Sequence, residues 1–536
     1  MNKYKAKYKI CIQKRNINRM SFIIKNHTVL ILLLSIFISC KNSNNTTTPE
    51  TITSQETYNE RREQLIAIHE KNSFDVDIQL SKEELELEQK ISAYRNAFEK
   101  KRKRDNIPFF NQPFHAIQPI IDSSTLYKVL QKMPKGGLLH THSIGMTDIK
   151  WLIEEAIKTP NCYVYVGKDN EMHIYGELAI FKEENVPNDF VLLKDQIKSD
   201  TDFKANLYEL LVLKRVSFSD RTDYWTEFEK RFRRVSKLLN FRPFFLAYYK
   251  KAFLDLIEDK VSHVEIRMVF NNLYDLEKSD YPIEIMVSDL QKVISEIEKE
   301  GKELSISLIY TSFKFFNTQE IDKEIAKAFN LKKKFPNMIS GFDLVAEEDK
   351  GNSVQYYEKN WQKIDSMSSK FGLELPLFLH AGESKSITNT NLIDVSVLKN
   401  RRIGHALNLV LFPEIMRQVK EKDMLVEVCP ISNQILGYVN DLRNHPARIL
   451  LNNGIQCSIN SDDPGVFAYE GLSYDFWMVC MAWELDIKAI KKLVFNSITY
   501  SGLTNDKKEI LLLKLKKDWN VFINEANLIM DKQFLN

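Results

Sequence analysis

The tightest constraint on this chain is a series of eight short apolar runs, several of which end in a residue that can hold a metal or move a proton. The runs fall at 136–141, 261–269, 304–311, 338–345, 374–380, 401–405, 424–430 and 455–461. Most carry few charges, as strands do when a parallel sheet is covered on both faces. Amphipathic stretches such as 285–299, 319–334 and 486–498 lie between them. Alternation of this kind is the signature of a parallel α/β fold, and eight units suggest closure into a (β/α)8 barrel. Such a barrel gathers the C-terminal ends of its strands at one mouth. Polar residues far apart in sequence then become members of one site.

Those residues form a chemically coherent set. Gly137-Leu138-Leu139-His140-Thr141-His142 ends the first run, and positions i and i+2 of a strand face the same way. The fifth run ends in His380-Ala381-Gly382-Glu383, the sixth in Gly404-His405, and the eighth in Asp462-Asp463. His140, His142, His380 and Asp462 can close most of a zinc shell, leaving Glu383 and His405 for proton work. Each element has a plainer reading. His-x-His alone is two polar residues at a strand end, Glu383 could cap the next helix, and Asp-Asp-Pro-Gly is also turn chemistry. His405 could be a fifth ligand, a hydrogen-bonded core histidine or a base for water. The water role is favoured, because four ligands already fill a structural quota and a catalytic site needs an open position. Adjacent side chains diverge in a strand, so one of Asp462 and Asp463 can bind metal while the other accepts a hydrogen bond from a ligand. Gly341, in the fourth run, could offer a backbone N–H to a planar ligand. That run has no Lys to be carbamylated as a bridge between two metals, which favours one ion per chain.

The formal net charge of +3 over 536 residues hides an asymmetry. Residues 1–39 hold eight Lys/Arg and no acid, leaving 67 basic against 72 acidic residues beyond them. A mildly acidic body argues against a nucleic-acid partner. The N-terminus reads as an export signal: Lys25 precedes an apolar run, Thr28 to Ile38, too short to span a bilayer. Phe37-Ile38-Ser39-Cys40 resembles a bacterial lipobox with Phe in place of the usual Leu. The alternative is an uncleaved anchor, and Met20 would make a more typical start than Met1. The expectation is a signal peptide over 1–39 and a lipidated Cys40. A flexible Asn/Thr/Ser-rich tether over 40–56 follows, with membrane contact through the lipid only. The protein would then be exported, either anchored on a periplasmic or cell-surface face or secreted. Cys429 and Cys457 read as small core residues, and no dense disulfide framework is implied.

Residues 57–105 read as two helices with apolar positions including Leu65, Ile66, Leu85, Leu87, Ile91 and Phe98. They cannot form a core alone and must dock on the barrel or on a second subunit. Residues 106–536 form the expected barrel domain. Its first and second strands are separated by an insertion at about 159–220, which contains a hairpin-like segment, Tyr163–Ile174. Insertions at that position often shape access to a site.

Taken together, the motifs resemble the adenosine deaminase family of metal-dependent amidohydrolases, from Met133 to about Trp519. The stretches that carry the likeness are Met133–His140, Trp225 with Phe228 and Phe232, Glu265-Ile266-Arg267, and Gly341-Phe342-Asp343-Leu344. Further on come His380–Glu383, Arg402–His405, Glu427–Asn433, Ser461–Pro464 and Gly471–Asp475. The likeness is nearest to the secreted adenosine deaminase growth factor subfamily. It implies that His140, His142, His380 and Asp462 hold one zinc ion, that Glu383 protonates a purine ring nitrogen, and that His405 orients and deprotonates the attacking water. It also implies that Asp463 and the Gly341 amide hold the other ring nitrogens and that Trp225 contacts substrate.

The implied reaction is hydrolytic deamination of adenosine or 2′-deoxyadenosine to the inosine product and ammonia, serving purine salvage. Ser143 stands where the subfamily usually has an acid thought to contact the sugar. That keeps open another aminopurine or a modified nucleoside as substrate. The insertion has only Cys162, where the subfamily's inserted domain carries a disulfide, so that domain's receptor-like or glycan-binding role does not transfer. Residues 57–105 occupy the place of a dimerisation segment, which makes a homodimer possible. A non-catalytic surface binding protein on the same barrel is the reading from another class, and the acid–base pair argues against it.

Overall fold

The structure, a computed structural model, describes residues 55–219 and 222–535. The expected signal, lipidated Cys40 and nearly all of the tether lie outside the described residues. The described residues divide into two units, with the boundary between Gln64 and Leu65. No helix among the described residues is long and apolar enough to cross a membrane.

Eight parallel strands form the centre of the second unit: β1 Gly136–His142, β2 Val261–Val269, β3 Ser305–Phe313, β4 Ile339–Val345, β5 His380–Ala381, β6 Arg402–His405, β7 Leu425–Val428 and β8 Cys457–Ile459. They pair as two four-stranded sheets, β1-β2-β3-β4 and β5-β6-β7-β8. Two seams join the sheets into a (β/α)8 barrel. At one, the Phe342 N–H donates to the Pro376 carbonyl (2.9 Å) and the Phe378 N–H to the Phe342 carbonyl (3.1 Å). At the other, the His142 N–H donates to the Asp462 carbonyl and the Asp462 N–H to the His140 carbonyl, both at 3.1 Å. The Asn460 side chain completes that seam, its Oδ1 accepting the N–H groups of Leu139 (2.9 Å) and His140 (3.1 Å).

All eight expected runs become strands, but three are shorter than the apolar pattern suggests. The run at 374–380 is ladder only at His380–Ala381, because Pro376 has no N–H to donate and Leu377 makes just isolated bridges to Phe342 and Asn400. The run at 424–430 stops at Val428, where Pro430 opens the helix Pro430–Ile435 at the position proline favours. The run at 455–461 stops at Ile459, where the Asn460 side chain takes over the pairing.

Of the two expected N-terminal helices, Lys82–Arg104 docks on the barrel. It starts at a capping box in which Ser81 and Glu84 exchange side-chain and backbone bonds. It buries Leu87 and Ile91 and sets Phe98 edge-on to Phe109, with ring centroids 5.0 Å apart. Glu84 receives the Trp519 indole N–H (2.7 Å) and pairs with Lys491 (2.6 Å). The preceding helix, Gln55–Asn72, leaves Tyr58, Leu65 and Ile68 exposed.

Between β1 and β2, the strand Cys162–Tyr165 lies between antiparallel partners Leu178–Ile180 and Phe190–Leu192. The expected hairpin within Tyr163–Ile174 is therefore not formed; the return strand begins at Leu178. The reason is local. Asn170 Oδ1 accepts the N–H groups of Met172 and His173, both at 2.8 Å, and Asp169 accepts that of Tyr175 (2.8 Å), so the chain turns several times before pairing. Cys162 is buried and free. Helix Tyr224–Leu239 follows, and it delivers Trp225, Phe228 and Phe232 to the barrel mouth.

Candidate active site

Four of the expected side chains converge. The ligand-capable atoms of His140, His142, His380 and Asp462 all lie within 4.8 Å of one another. Asp462 Oδ1 is 3.4 Å from His140 Nε2 and 3.1 Å from His142 Nε2. These are charge-contact distances without hydrogen-bond geometry: buried His140 Nε2 and Asp462 Oδ1 have no hydrogen-bond partner. Buried polar atoms are nearly always partnered, so two orphans aimed at one point fit a shared cation. Three imidazole nitrogens and one carboxylate oxygen are a donor set suited to zinc.

The opposite nitrogens of two histidines are anchored. His140 Nδ1 is 2.9 Å from Glu427 Oε2, and His380 Nδ1 is 2.7 Å from Asp343 Oδ2. Such partners fix the ring so that Nε2 faces the cluster. Arg267, fully buried, joins both carboxylates, with Nε 2.7 Å from Asp343 and Nη2 2.5 Å from Glu427. Burial alone would raise Asp343 and Glu427. The His380 and Arg267 charges overcome this at Asp343, and Arg267 and Arg402 do so at Glu427, so both stay below the usual carboxylate range. A second group of His140, His405, Cys429 and Asp462 is equally close. Burial pushes the Cys429 thiol well up, away from the thiolate that binds a metal.

Glu383 and His405 flank the cluster. The turn that carries Glu383 needs Gly382, whose φ is +78° and where a Cβ would come within 2.7 Å of Asn408 Oδ1 and of the Leu392 side chain. Glu383 is buried, and burial first, then the Asp462 charge, pushes its carboxyl well above the ordinary range. His405 Nδ1 lies 3.7 Å from Glu383 Oε1 and 3.2 Å from the Asn433 amide nitrogen. Burial, then the neighbouring His140, holds His405 well below its ordinary value. The two shifts run in opposite directions, toward a protonated acid and a neutral base. His405 and Asp462 adopt left-handed backbone, φ 65° and 62°, at a cost of about 1 kcal/mol each. Asp463 is buried with Oδ1 unpartnered, and burial and Asp462 push its carboxyl up.

These groups open on a cavity of about 400 Å³. Trp225, Phe228 and Phe232 line it from one helix, and Phe313 and Phe315 from the end of β3. Ser143, Glu229 and Asn271 are among its polar lining. Trp225 is held by its indole N–H donating to the Tyr438 hydroxyl (2.8 Å).

Gly341 does not reach this cavity. It lies in the first half of β4, where the space a Cβ would take is filled by the Phe378 ring and the Pro376 carbonyl, each 2.6 Å away. The residues that line the cavity at the end of that strand are Val345 and Ala346, the latter at φ 110°. The sequence reading also gave no role to Arg267, Asp343, Glu427 or Asn460. The available signal was a charged or amide residue inside an otherwise apolar strand run.

The adenosine deaminase family model matches residues 198–518. The chain is 32% identical to adenosine deaminase 2 of Dictyostelium discoideum over 400 residues, 74% of each chain. It is 32% identical to human adenosine deaminase 2 over 427 residues, 77% of this chain and 83% of that one. Its fold is similar to the N6-methyl-AMP deaminase of Arabidopsis thaliana, with TM-score 0.54, 17% identity, and coverage of 73% of this chain and 98% of that one. The chain belongs to the adenosine deaminase family, in its growth-factor-like branch.

Proposed function

We propose that this protein hydrolytically deaminates adenosine or 2′-deoxyadenosine, releasing ammonia, with one zinc ion held by His140, His142, His380 and Asp462. The observation that carries the reading is the buried Glu383–His405 pair, 3.7 Å apart, beside the orphaned donor atoms of that cluster. When bound, the ion supplies a water of lowered pKa, a nucleophile at neutral pH. His405 is placed to take a proton from the attacking water and to return it to the amino group as the C–N bond breaks and ammonia leaves. Glu383 donates its own proton to the ring nitrogen beside the amino-bearing carbon, so that charge does not build up on the ring. Asp463, whose carboxyl burial and Asp462 push toward the protonated form, donates to a second ring nitrogen. The Ala346 N–H takes the role assigned from sequence to Gly341. Trp225, Phe228 and Phe232 supply an apolar wall for the purine.

The lining favours a nucleoside over a nucleotide. Among the described residues it contains no Lys, and its one Arg, Arg267, is committed to Asp343 and Glu427. Glu229 adds a carboxylate that would repel a phosphate. Ser143, also in the lining, supports a second reading, a modified aminopurine nucleoside as the preferred substrate. Export with lipid on Cys40 belongs to the same proposal, supported by the basic, apolar, Cys order of the N-terminus.

The test is to offer the protein adenosine, 2′-deoxyadenosine, adenine and AMP, following ammonia and ultraviolet change with and without chelator. Chelator-sensitive turnover of the two nucleosides, with AMP turned over at least 100-fold less well, is the expected result. That activity should sediment with the membranes of the producing cell. Turnover of AMP matching adenosine would sink the nucleoside assignment.

A further inference from the structure

Glu383 stands on a stretch, residues 382–390, that has no helix or strand of its own. Its backbone position is therefore set from outside: Asn408 donates to the carbonyls of Gly382 (3.1 Å), Ser386 (2.9 Å) and Asn389 (3.3 Å), and a single buried carboxylate takes the two amides at Glu383 itself. Glu348, in the loop after β4, accepts the Gly382 N–H at Oε1 (2.8 Å) and the Glu383 N–H at Oε2 (3.0 Å). Oε1 also accepts the Asn391 amide (2.9 Å), at the far end of the stretch. Oε2 faces Lys314 Nζ at 3.4 Å, and Lys314, just past β3, donates to the His380 carbonyl at 3.0 Å. Both side chains of this pair are 1% exposed. Next door, Asp349 accepts the Ser384 hydroxyl (2.7 Å) and the Asn389 amide (3.0 Å). Three successive strand-end loops are thus joined by one ion pair.

A buried ion pair is weak evidence for stability, because desolvation offsets much of the attraction. What this one secures is geometry. The amides it takes belong to Gly382 and Glu383, and the carbonyl it takes belongs to His380. N–H groups bonded to an ionised carboxylate are among the stronger hydrogen bonds in a protein. We propose that Glu348, paired with Lys314, is a positioning residue that fixes the Gly382–Glu383 peptide so that the Glu383 carboxyl faces the ligand cluster. Burial opposes the charge on Glu348, but Lys314, Asn391 and the two amides hold its carboxyl below the usual range, in the form that accepts all three donors.

The inference rests on the acid role of Glu383, and the experiment separates the two. Glu348→Gln keeps the shape but presents an NH2 to one of the amides. With whichever aminopurine the wild type deaminates, kcat should fall about 100-fold while KM and bound metal stay within threefold, since the cavity wall and donor set are untouched. Independently of turnover, amide hydrogen exchange at Gly382 and Glu383 should speed up at least tenfold, with the β1 and β8 amides unchanged. If the single variant does not fold, Lys314→Met with Glu348→Gln removes both buried charges and is measured in its place. Unchanged exchange at those two amides, or a loss of kcat that tracks metal content or KM, would overturn the proposal. A wild type that deaminates nothing would defeat the functional reading while leaving the exchange result to decide the clamp.

Discussion

Glu383 and His405 gain their chemistry from where they are buried. Burial, with Asp462 nearby, pushes the Glu383 carboxyl toward its protonated form, and burial beside His140 and His380 pushes the His405 imidazole toward its neutral form. Replacing Glu383 by Gln removes the transferable proton and little volume. We expect kcat to drop by about 10³-fold, within the span ascribed to positioned acids and bases, with metal content unchanged by elemental analysis. The pH profile follows from the signs. Glu383 must be protonated and its pKa is raised, so activity persists through neutrality and declines as pH climbs through the raised value. His405 must be neutral and its pKa is depressed, so no acid limb should appear near 6.5. An acid limb at that pH would show that His405 is not the buried base. These two residues were legible in the sequence because each follows a strand-like apolar run, the one place a barrel makes functional. Glu348 and Lys314 were not, because they act on main-chain groups of residues brought close only by folding.

At the scale of elements, the instructive strand is β4. The apolar run showed that Ile339–Val345 is a strand, but a strand has no internal mark for where its backbone leaves the sheet and faces the mouth. A glycine draws attention as a close-approach residue, and Gly341 is indeed closely approached, by Phe378 and Pro376 rather than by a ligand. The residue of that chain segment that lines the cavity is five residues on, Ala346, where a side chain tolerates φ 110°. That conformation is strained for any residue with a Cβ and free for glycine. Ala346→Gly should therefore raise stability by about 1 kcal/mol, read as a higher thermal midpoint, with KM changed less than threefold because the N–H remains in place. A lowered midpoint would mean that the Ala346 methyl contributes packing that outweighs its strain. The seams of the barrel were equally illegible. Pro376 and Asn460 break the regular ladder where the sheets meet, and only the three-dimensional pairing shows the Asn460 side chain taking the place of a backbone acceptor.

The barrel as a whole buries histidines that the chemistry does not use, and these set its tolerance of acid. His445 is 2% exposed; its Nδ1 accepts the Ala447 N–H at 3.1 Å and its Nε2 lies 3.1 Å from Asn433 Oδ1. Both ring nitrogens are thereby satisfied in the neutral state, and protonation would aim a second N–H at the Ala447 donor. Burial accordingly holds its pKa at about 3, against 6.5 in a solvated chain. His115 reaches a similar end chiefly through burial, its Nε2 donating to the Phe467 carbonyl (2.9 Å), its Nδ1 unpartnered and its pKa at about 4. Between 6.5 and these values the unfolded chain binds protons that the folded chain refuses. Their contribution is thus complete above pH 6.5, shrinks as pH falls, and stops shrinking near the folded pKa. For His445 the loss is about 2 kcal/mol by pH 5, from 1.36 kcal/mol per unit over about 1.5 units. The check is the thermal midpoint of the metal-free protein from pH 7.5 to 4.5, wild type against His445→Gln. The variant should start lower at pH 7.5 but lose less on acidification, because it has one fewer proton to refuse. Parallel slopes would show that His445 takes up its proton in the folded barrel, and the acid sensitivity would then belong to the cluster at the mouth.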